Sequence, residues 1–369
     1  MKKLVYSRDR VAEAKDIRKR WYYGEKTGRA PFVFTVNEGK PNPYNYLQMC
    51  NDVDIAAESV LNALQHQLGS FPDCDYIPII DVFYLGQGIL AAMYGAEQYL
   101  VEKDPPFTQG RLFNNIYETE KLSNDFEIED TVWGMKLKEH IERLMDATGG
   151  QIPVGAPDYQ SSYGTATKLL PNEELMMAMY DEPELTRQFL ERITDGIIKL
   201  SDTIVKWVGK ENYAHNRSNP IPGECGAIMW DDYISVINPE MHKKFCAPCN
   251  KRLFDTYGHG HLHTCGPYFP NYIDACLACG PRSMDIGIMR DMNQSKKDLL
   301  NFLEITSKNN IRLFGSLRIT QSNSIFDDKW DQIDNSIFET FVKGGWMPSG
   351  GGTYEEGLAY KKRVENIYL

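Results

Sequence analysis

The sequence predicts an α/β fold, a (β/α)8 TIM barrel with an N-terminal helical extension. Short apolar runs alternate with longer amphipathic ones, the rhythm of strand–helix units and hence of a parallel sheet. Eight candidate strands can be counted along the 369 residues. That length suits a closed barrel, typically about 250 residues, with room for insertions. An open doubly wound sheet is the runner-up, but no G-x-G-x-x-G follows an early strand. A single domain over 1–369 is expected, with 1–50 as an N-terminal extension and 100–150 as a helical insertion.

The strands, in order, are "FVFTV" (32–36), "IPIID" (77–81), "IPVGA" (152–156), the stretch around "CGAIMW" (225–230), "HLHTC" (261–265), "MDIGI" (284–288), "IRLFGS" (311–316) and "GGWMP" (344–348). Each is short, apolar and bounded by turn residues. Helices separate them. Residues 54–68 carry apolar side chains at helical spacing. Residues 183–209 open on Pro183 and close on Gly209. Residues 238–258 have Asn238 as cap, Pro239 at the first helical position and Gly258 as terminator. Residues 295–310 begin with the capping box Ser295-x-x-Asp298. Within 100–150, "FEIEDTVWGMKLKEHIERLMDATGG" supplies one further helix.

Composition narrows the function classes. Acidic residues outnumber basic ones by 51 to 40, a net charge of −11. Such a surface argues against a nucleic-acid partner and, more weakly, against a substrate with many carboxylates. No apolar run reaches signal-peptide or membrane-spanning length, so a cytoplasmic protein without a membrane partner is expected. In that compartment the eight cysteines read as thiols, packing residues or metal ligands rather than disulfides.

Chemistry concentrates in "HGHLHTCG" (259–266), which places His259, His261, His263 and Cys265 at every second position. In a strand, side chains two apart share a face. His261, His263 and Cys265 are therefore expected together, with Cys265 at the C-terminal tip, before Gly266-Pro267 ends the strand. His259, beside Gly258, belongs to the preceding loop. One histidine in a barrel interior is commonly a hydrogen-bonded core residue. A His-x-Cys pair at a strand tip favours a site, and imidazole with thiolate suits Zn²⁺. A third ligand is required. The preceding strand region, "PIPGECGAIMWDD", offers Glu224 and Cys225. Neighbouring strands lie roughly 5 Å apart, so Cys225 can reach the ion held by Cys265. Glu224 serves either as an oxygen ligand or as a partner of the histidine. Only one of these adjacent residues points inward without a bulge, and Cys225 is favoured.

"CAPC" (246–249) and "CLAC" (276–279) compete as text with a zinc-ribbon pattern. Both fall inside predicted helices, however. Cys249 lies on the apolar stripe of Phe245 and Leu253, and Cys276 on that of Phe269 and Ile273. Core packing is therefore the expectation for them.

The stretch "NPEMHKKFCAPCNKRLFDTYGHGHLHTCGPYFPNYIDACLACGPRSMDIG" resembles the C-terminal half of the uroporphyrinogen decarboxylase superfamily. The shared features are a helix opening at Pro-Glu, a His-x-Cys-Gly strand end, a helix and a further strand. "MMAMYDEPELTRQFLERITDGI" and "GQGILAAMYGAEQYL" resemble it too, so the likeness runs from about residue 75 onward. It implies a (β/α)8 barrel and one of two chemistries. One is cofactor-free decarboxylation. The other is zinc-dependent methyl transfer between a small substrate and a corrinoid carried by a partner protein, as in coenzyme M methyltransferases and O-demethylating enzymes.

Particular residues favour methyl transfer. The arginine-rich "RQAGRY" motif of the decarboxylases is absent, the N-terminal region reading "RKRWYYGEKTGRAPFVFT". His263 and Cys265 match the first part of the methyltransferase zinc motif. Its last cysteine is missing, with Ser349 and Gly350 in that region, and Cys225 is the expected substitute. Asp81 falls where the decarboxylases carry a catalytic aspartate, which keeps decarboxylation as the alternative, beside a catalytically silent small-molecule-binding member. "FGSLRI" (314–319) also departs from the superfamily pattern, leaving Arg318 as an individual feature.

In the methyl-transfer reading, Zn²⁺ acts as a Lewis acid on a leaving oxygen, or holds an acceptor thiol as thiolate if transfer runs the other way. Asp81 and Cys265 are the candidate catalytic residues. Tyr84, Asp158, Tyr159 and Arg217, near predicted strand ends, are candidates for a small substrate such as a methoxylated aromatic. The sequence leaves the oligomeric state open, a homodimer included.

Overall fold

Among the described residues ten short strands form: β1 (Val33–Val36), β2 (Gln98–Tyr99), β3 (Phe107–Thr108), β4 (Val154–Gly155), β5 (Tyr213–Ala214), β6 (Ala227–Trp230), β7 (Gly260–His263), β8 (Ser283–Asp285), β9 (Arg312–Phe314) and β10 (Ser349–Gly352). They are seen in a computed structural model that describes residues 4–37, 43–108, 111–214, 226–265, 270–285, 296–315 and 335–367. Among the described strands only the β2–β3 hairpin is antiparallel; every other pairing is parallel. Parallel neighbours need a crossover between them, and helices fill those crossovers. The fold is α/β.

β6, β7, β8 and β9 make one four-stranded sheet in chain order, while β1 pairs with β10 and β4 with β5. Two isolated parallel bridges extend this series, Ile80 to Val154 and Leu313 to Trp346. The described strands thus fall into separate short sheets rather than one closed ring. Ile80, Val154, Ile228, Leu262, Met284 and Leu313 are all fully buried. Such apolar central positions are expected of parallel strands covered on both faces.

Several elements differ from the sequence expectation. "IPIID" contributes only the bridge at Ile80. "GGWMP" likewise gives a bridge at Trp346, and the true strand follows as β10, where consecutive glycines lie against β1. β2, β3 and β5 carry too little apolar pattern to be read in advance. The predicted helix 238–258 is two helices, Pro239–Phe245 and Ala247–Thr256. Pro248 has no N–H to donate to the carbonyl four residues back, so the first helix stops and a second starts. Cys246, Cys249, Cys276 and Cys279 all lie buried around this junction. Burial pushes the Cys249 thiol up to about 11.

Elsewhere the helix expected over 54–68 forms as Val53–Ser70 and Pro183 acts as read, while Ser295 of the expected capping box lies outside the described residues. Asp52 caps the helix Val53–Ser70 through the N–H groups of Asp54 and Ile55. Pro183 opens the helix Pro183–Val208. The described residues of the segment 100–150 hold β3, two short 3₁₀ helices and the helix Val132–Thr148. The segment 1–50 holds the helix Arg8–Tyr23 and also β1, which the C-terminal β10 joins.

β6 and β7 are set against each other by Gly226. Its φ is +72°, and a Cβ there would lie 1.8 Å from the His259 carbonyl oxygen. Only glycine allows the backbones this close. From that start Ala227 pairs with Gly260 and Trp230 with His263, so both strands end at the same level.

Candidate metal centre

Three strands deliver acidic and metal-ligating side chains to one edge. His263 ends β7 and Asp285 ends β8. Asp231 and Asp232 follow directly on β6. The Asp231 N–H donates to the His263 carbonyl (2.8 Å), extending the β6–β7 ladder by one bond. Asp232 is thereby placed beside the turn that carries Cys265. The Cys265 N–H donates to Asp232 Oδ1 at 2.8 Å.

The result is a triad of Asp232, His263 and Cys265 whose potential ligand atoms all lie within 4.8 Å of one another. His263 Nε2 is 3.6 Å from Cys265 Sγ and 4.0 Å from Asp232 Oδ1. Zinc bonds of about 2.0–2.3 Å in a tetrahedron separate ligand atoms by about 3.5 Å. The donor set therefore fits Zn²⁺, with one imidazole, one thiolate and one carboxylate, and a tetrahedral ion would keep a fourth position. Side chains of Asp232 and His263 are each 30% exposed and Cys265 is exposed, so the triad is open to solvent.

A second layer fixes the first. Asp285 accepts a hydrogen bond from His263 Nδ1, which leaves Nε2 directed at the triad. Its other oxygen is 3.2 Å from His261 Nε2, and His261 Nδ1 is 2.9 Å from Ser283 Oγ. Carboxylate–imidazole–metal arrangements of this kind set ring orientation and raise ligand basicity. Burial by itself would depress the His263 imidazolium. The facing Asp285 charge outweighs it and raises His263 to about 11. Burial likewise opposes ionisation of Asp285, yet His263 and His261 hold it well below the usual carboxylate range.

Below the triad, Asp231 is fully buried. It accepts from His242 Nε2 (2.8 Å), Asn250 Nδ2 (2.6 Å) and Ser161 Oγ (3.2 Å). Burial would raise its pKa, but His242 and these hydrogen bonds lower it. The pair ties the end of β6 to both helices of the Pro248 junction.

The sequence placed His263 and Cys265 correctly as neighbours but by a different geometry. β7 ends at His263, so Cys265 lies in the turn beyond it rather than on the same strand face. Glu224, Cys225, Arg217 and Arg318 lie outside the described residues. Asp232 and Asp285 were missed as participants. Their signal was present as "WDD" after one strand and "MD" at the end of another.

The remaining candidates are dispersed. Asp81 accepts from the Phe83 N–H (2.8 Å) and, with Tyr84, Tyr44, Tyr46 and Tyr76, lines a cavity of about 630 Å³. Tyr84 is buried, with its hydroxyl 3.0 Å from His140 Nδ1. Asp158 is buried and accepts from the Gln160 backbone (3.2 Å) and side chain (2.9 Å). Tyr159 is committed to the core instead of to a substrate surface. Its hydroxyl donates to the Ile228 carbonyl (2.9 Å) and its ring meets Trp230 edge-on at 5.2 Å.

Neither the models of known protein families nor the curated protein sequences contain a match to this chain. A solved structure does match. A methyltransferase from Methanosarcina mazei superposes with a TM-score of 0.65 at 15% identity, over 92% of this chain and 92% of that one. Likeness at this identity is a likeness of fold. No described helix is long and apolar enough to cross a membrane.

Proposed function

We propose that this chain is a zinc-dependent methyltransferase that moves a methyl group between a small substrate and a corrinoid carried by a partner protein. The observation that carries the reading is the Asp232–His263–Cys265 triad at the strand ends of a fold shared with a methyltransferase. The order of parallel pairings supports a (β/α)8 barrel, in which chemistry sits at that end of the strands. Asp232 takes the part of third ligand, and Cys225 remains a candidate for a further one.

Zn²⁺, when bound, supplies Lewis acidity toward the oxygen or sulfur that loses or gains the methyl group. The protein's own residues prepare for it. Asp285 takes the Nδ1 proton of His263 into a hydrogen bond and frees Nε2 as a ligand. The Asp231–His242 pair fixes the loop that presents Asp232. The partial exposure of the triad leaves room for the partner's corrinoid to approach from solvent.

Purified protein is expected to hold about one zinc per chain, a stoichiometry set by one triad. Cys265→Ala and Asp232→Asn should each lose metal and activity together. Methylcobalamin should appear spectroscopically when a corrinoid protein and a methyl donor are mixed with the wild type. Full metal retention in both variants would sink the ligand assignment. A cofactor-free decarboxylase is the second reading, because Asp81 lines the large tyrosine-walled cavity. Activity indifferent to chelation but abolished by Asp81→Asn would favour it.

A further inference from the structure

At the opposite end of the same sheet two arginines meet. Arg282 precedes β8 and Arg312 opens the neighbouring β9. Backbone bonds from Arg282 N to Gly260 O (2.8 Å) and from Arg312 N to Arg282 O (2.9 Å) place the two arginines on adjacent strands. The last turn of the helix Arg8–Tyr23 covers them with three rings. Arg312 stacks on Trp21 at 5.3 Å, and Arg282 on Tyr22 and Tyr23 at 5.7 and 5.8 Å. Cation–π contact makes such burial tolerable but does not neutralise charge.

Neither guanidinium has an ion-pair partner among the described residues. Arg312 Nε donates to the Tyr22 carbonyl at 3.3 Å, an ordinary role for a cation at a helix C-terminus. Its two Nη groups have no protein acceptor among the described residues. Arg282 Nε is buried without one. Burial depresses Arg312, and the charge on Arg282 depresses it further. A helix cap needs one cation, so a second arginine brought alongside at this electrostatic cost is unexplained by capping.

A cavity of about 330 Å³ opens beside Arg312. Lys26 and Lys343 line it with Trp21, Val342 and Gly345. Glu25 also borders it, but Glu25 faces Arg20 at 3.7 Å. Lys343 is shared with Glu339, whereas Lys26 has no ion pair among the described residues. Gly345 has φ +103°, and a Cβ there would come within 2.7 Å of Arg312 Nη1. Its lack of a side chain holds open the contact between guanidinium and cavity.

We propose that this cavity binds a small oxyanion, the phosphate or carboxylate group of a metabolite, with Arg312 as the forked anchor and Lys26 and Lys343 at the rim. Paired Nη donors match either anion, and the surrounding rings strengthen a charge-assisted bond by excluding water. This site lies at the opposite strand ends from the triad and does not depend on it.

Calorimetric titration of the full chain with inorganic phosphate and with malonate, at ionic strength matched by sodium chloride, tests this. Saturable binding at one site per chain is expected. Tighter phosphate binding identifies a phosphoryl ligand, and tighter malonate binding a carboxylate. Arg312→Gln should weaken binding about tenfold or more, the loss of one charge-assisted hydrogen bond. Should that variant fail to fold, the double variant Lys26→Gln/Lys343→Gln decides, since both side chains are exposed. It should weaken binding several-fold while leaving the anion-free melting temperature unchanged. Non-saturable heats, or equal affinity in wild type and variants, would overturn the proposal.

Discussion

Asp285 is the residue on which the triad's chemistry turns, although it is not one of the three ligands. It fixes which nitrogen of His263 is available. Asp285→Asn keeps the shape and removes the charge. It should weaken zinc binding roughly 10- to 100-fold, the usual effect of losing such a partner, with the circular dichroism spectrum unchanged. Competition with a chromophoric chelator measures it; an unaltered affinity would reduce Asp285 to a packing residue. His140 offers a test by pH. Burial pushes it down to about 4, and Tyr84 occupies its Nδ1. The folded chain thus refuses a proton that the unfolded chain accepts below about 6.5. The stabilisation is complete above that pH and is lost as pH falls toward 4, on the order of 3 kcal/mol in all. Urea denaturation across this window should be less pH-dependent in His140→Gln.

Two elements, β6 and β7, must keep register for Asp232 and Cys265 to meet. Gly226 sets that register through its contact with the His259 backbone. Gly226→Ala forces a 1.8 Å clash and a strained φ together. It should cost several kcal/mol and lower zinc content in whatever protein still folds. At the other end of β6, Asp231 and His242 form a fully buried hydrogen-bonded pair. Removing one partner by Asp231→Asn leaves an uncompensated group and should destabilise by about 3–5 kcal/mol. Thermal melts of this variant with and without zinc distinguish the loss of fold from the loss of metal. The same interplay explains the divided helix after Asn238. Periodicity continues through residue 258, but Pro248 interrupts the backbone bonds, and the break lets His242 and Asn250 both reach Asp231.

At the scale of the whole molecule, the chain's two ends are held together. β1 near the start pairs with β10 near the finish, and Tyr360 of the last helix packs on Phe34 and Phe32. Tyr360 is fully buried. Tyr360→Ala should therefore destabilise the chain by about 3–5 kcal/mol, as large aromatic deletions do, and do so in a single transition seen equally by far-UV dichroism and tryptophan fluorescence. Two separated transitions would mean that the terminal pairing is an independent unit. Charge is also distributed at this scale. A net charge of −11 coexists with Arg312, Lys26 and Lys343 gathered around one cavity, which composition alone conceals.

Much of this was legible in the amino-acid order. Apolar rhythm gave the parallel α/β character, caps and prolines bounded most helices, and the His-x-Cys pair marked the edge where the triad lies. These properties are local: each depends on residues a few positions apart, whose backbone preferences and spacing act before any long-range contact forms. The third ligand, the carboxylate behind His263, the commitment of Tyr159 to the core and the cations gathered under the first helix are different in kind. They join residues about 20 to 290 positions apart, and a side chain's partners across such distances are fixed by strand register and helix packing, which burial of the shared core selects.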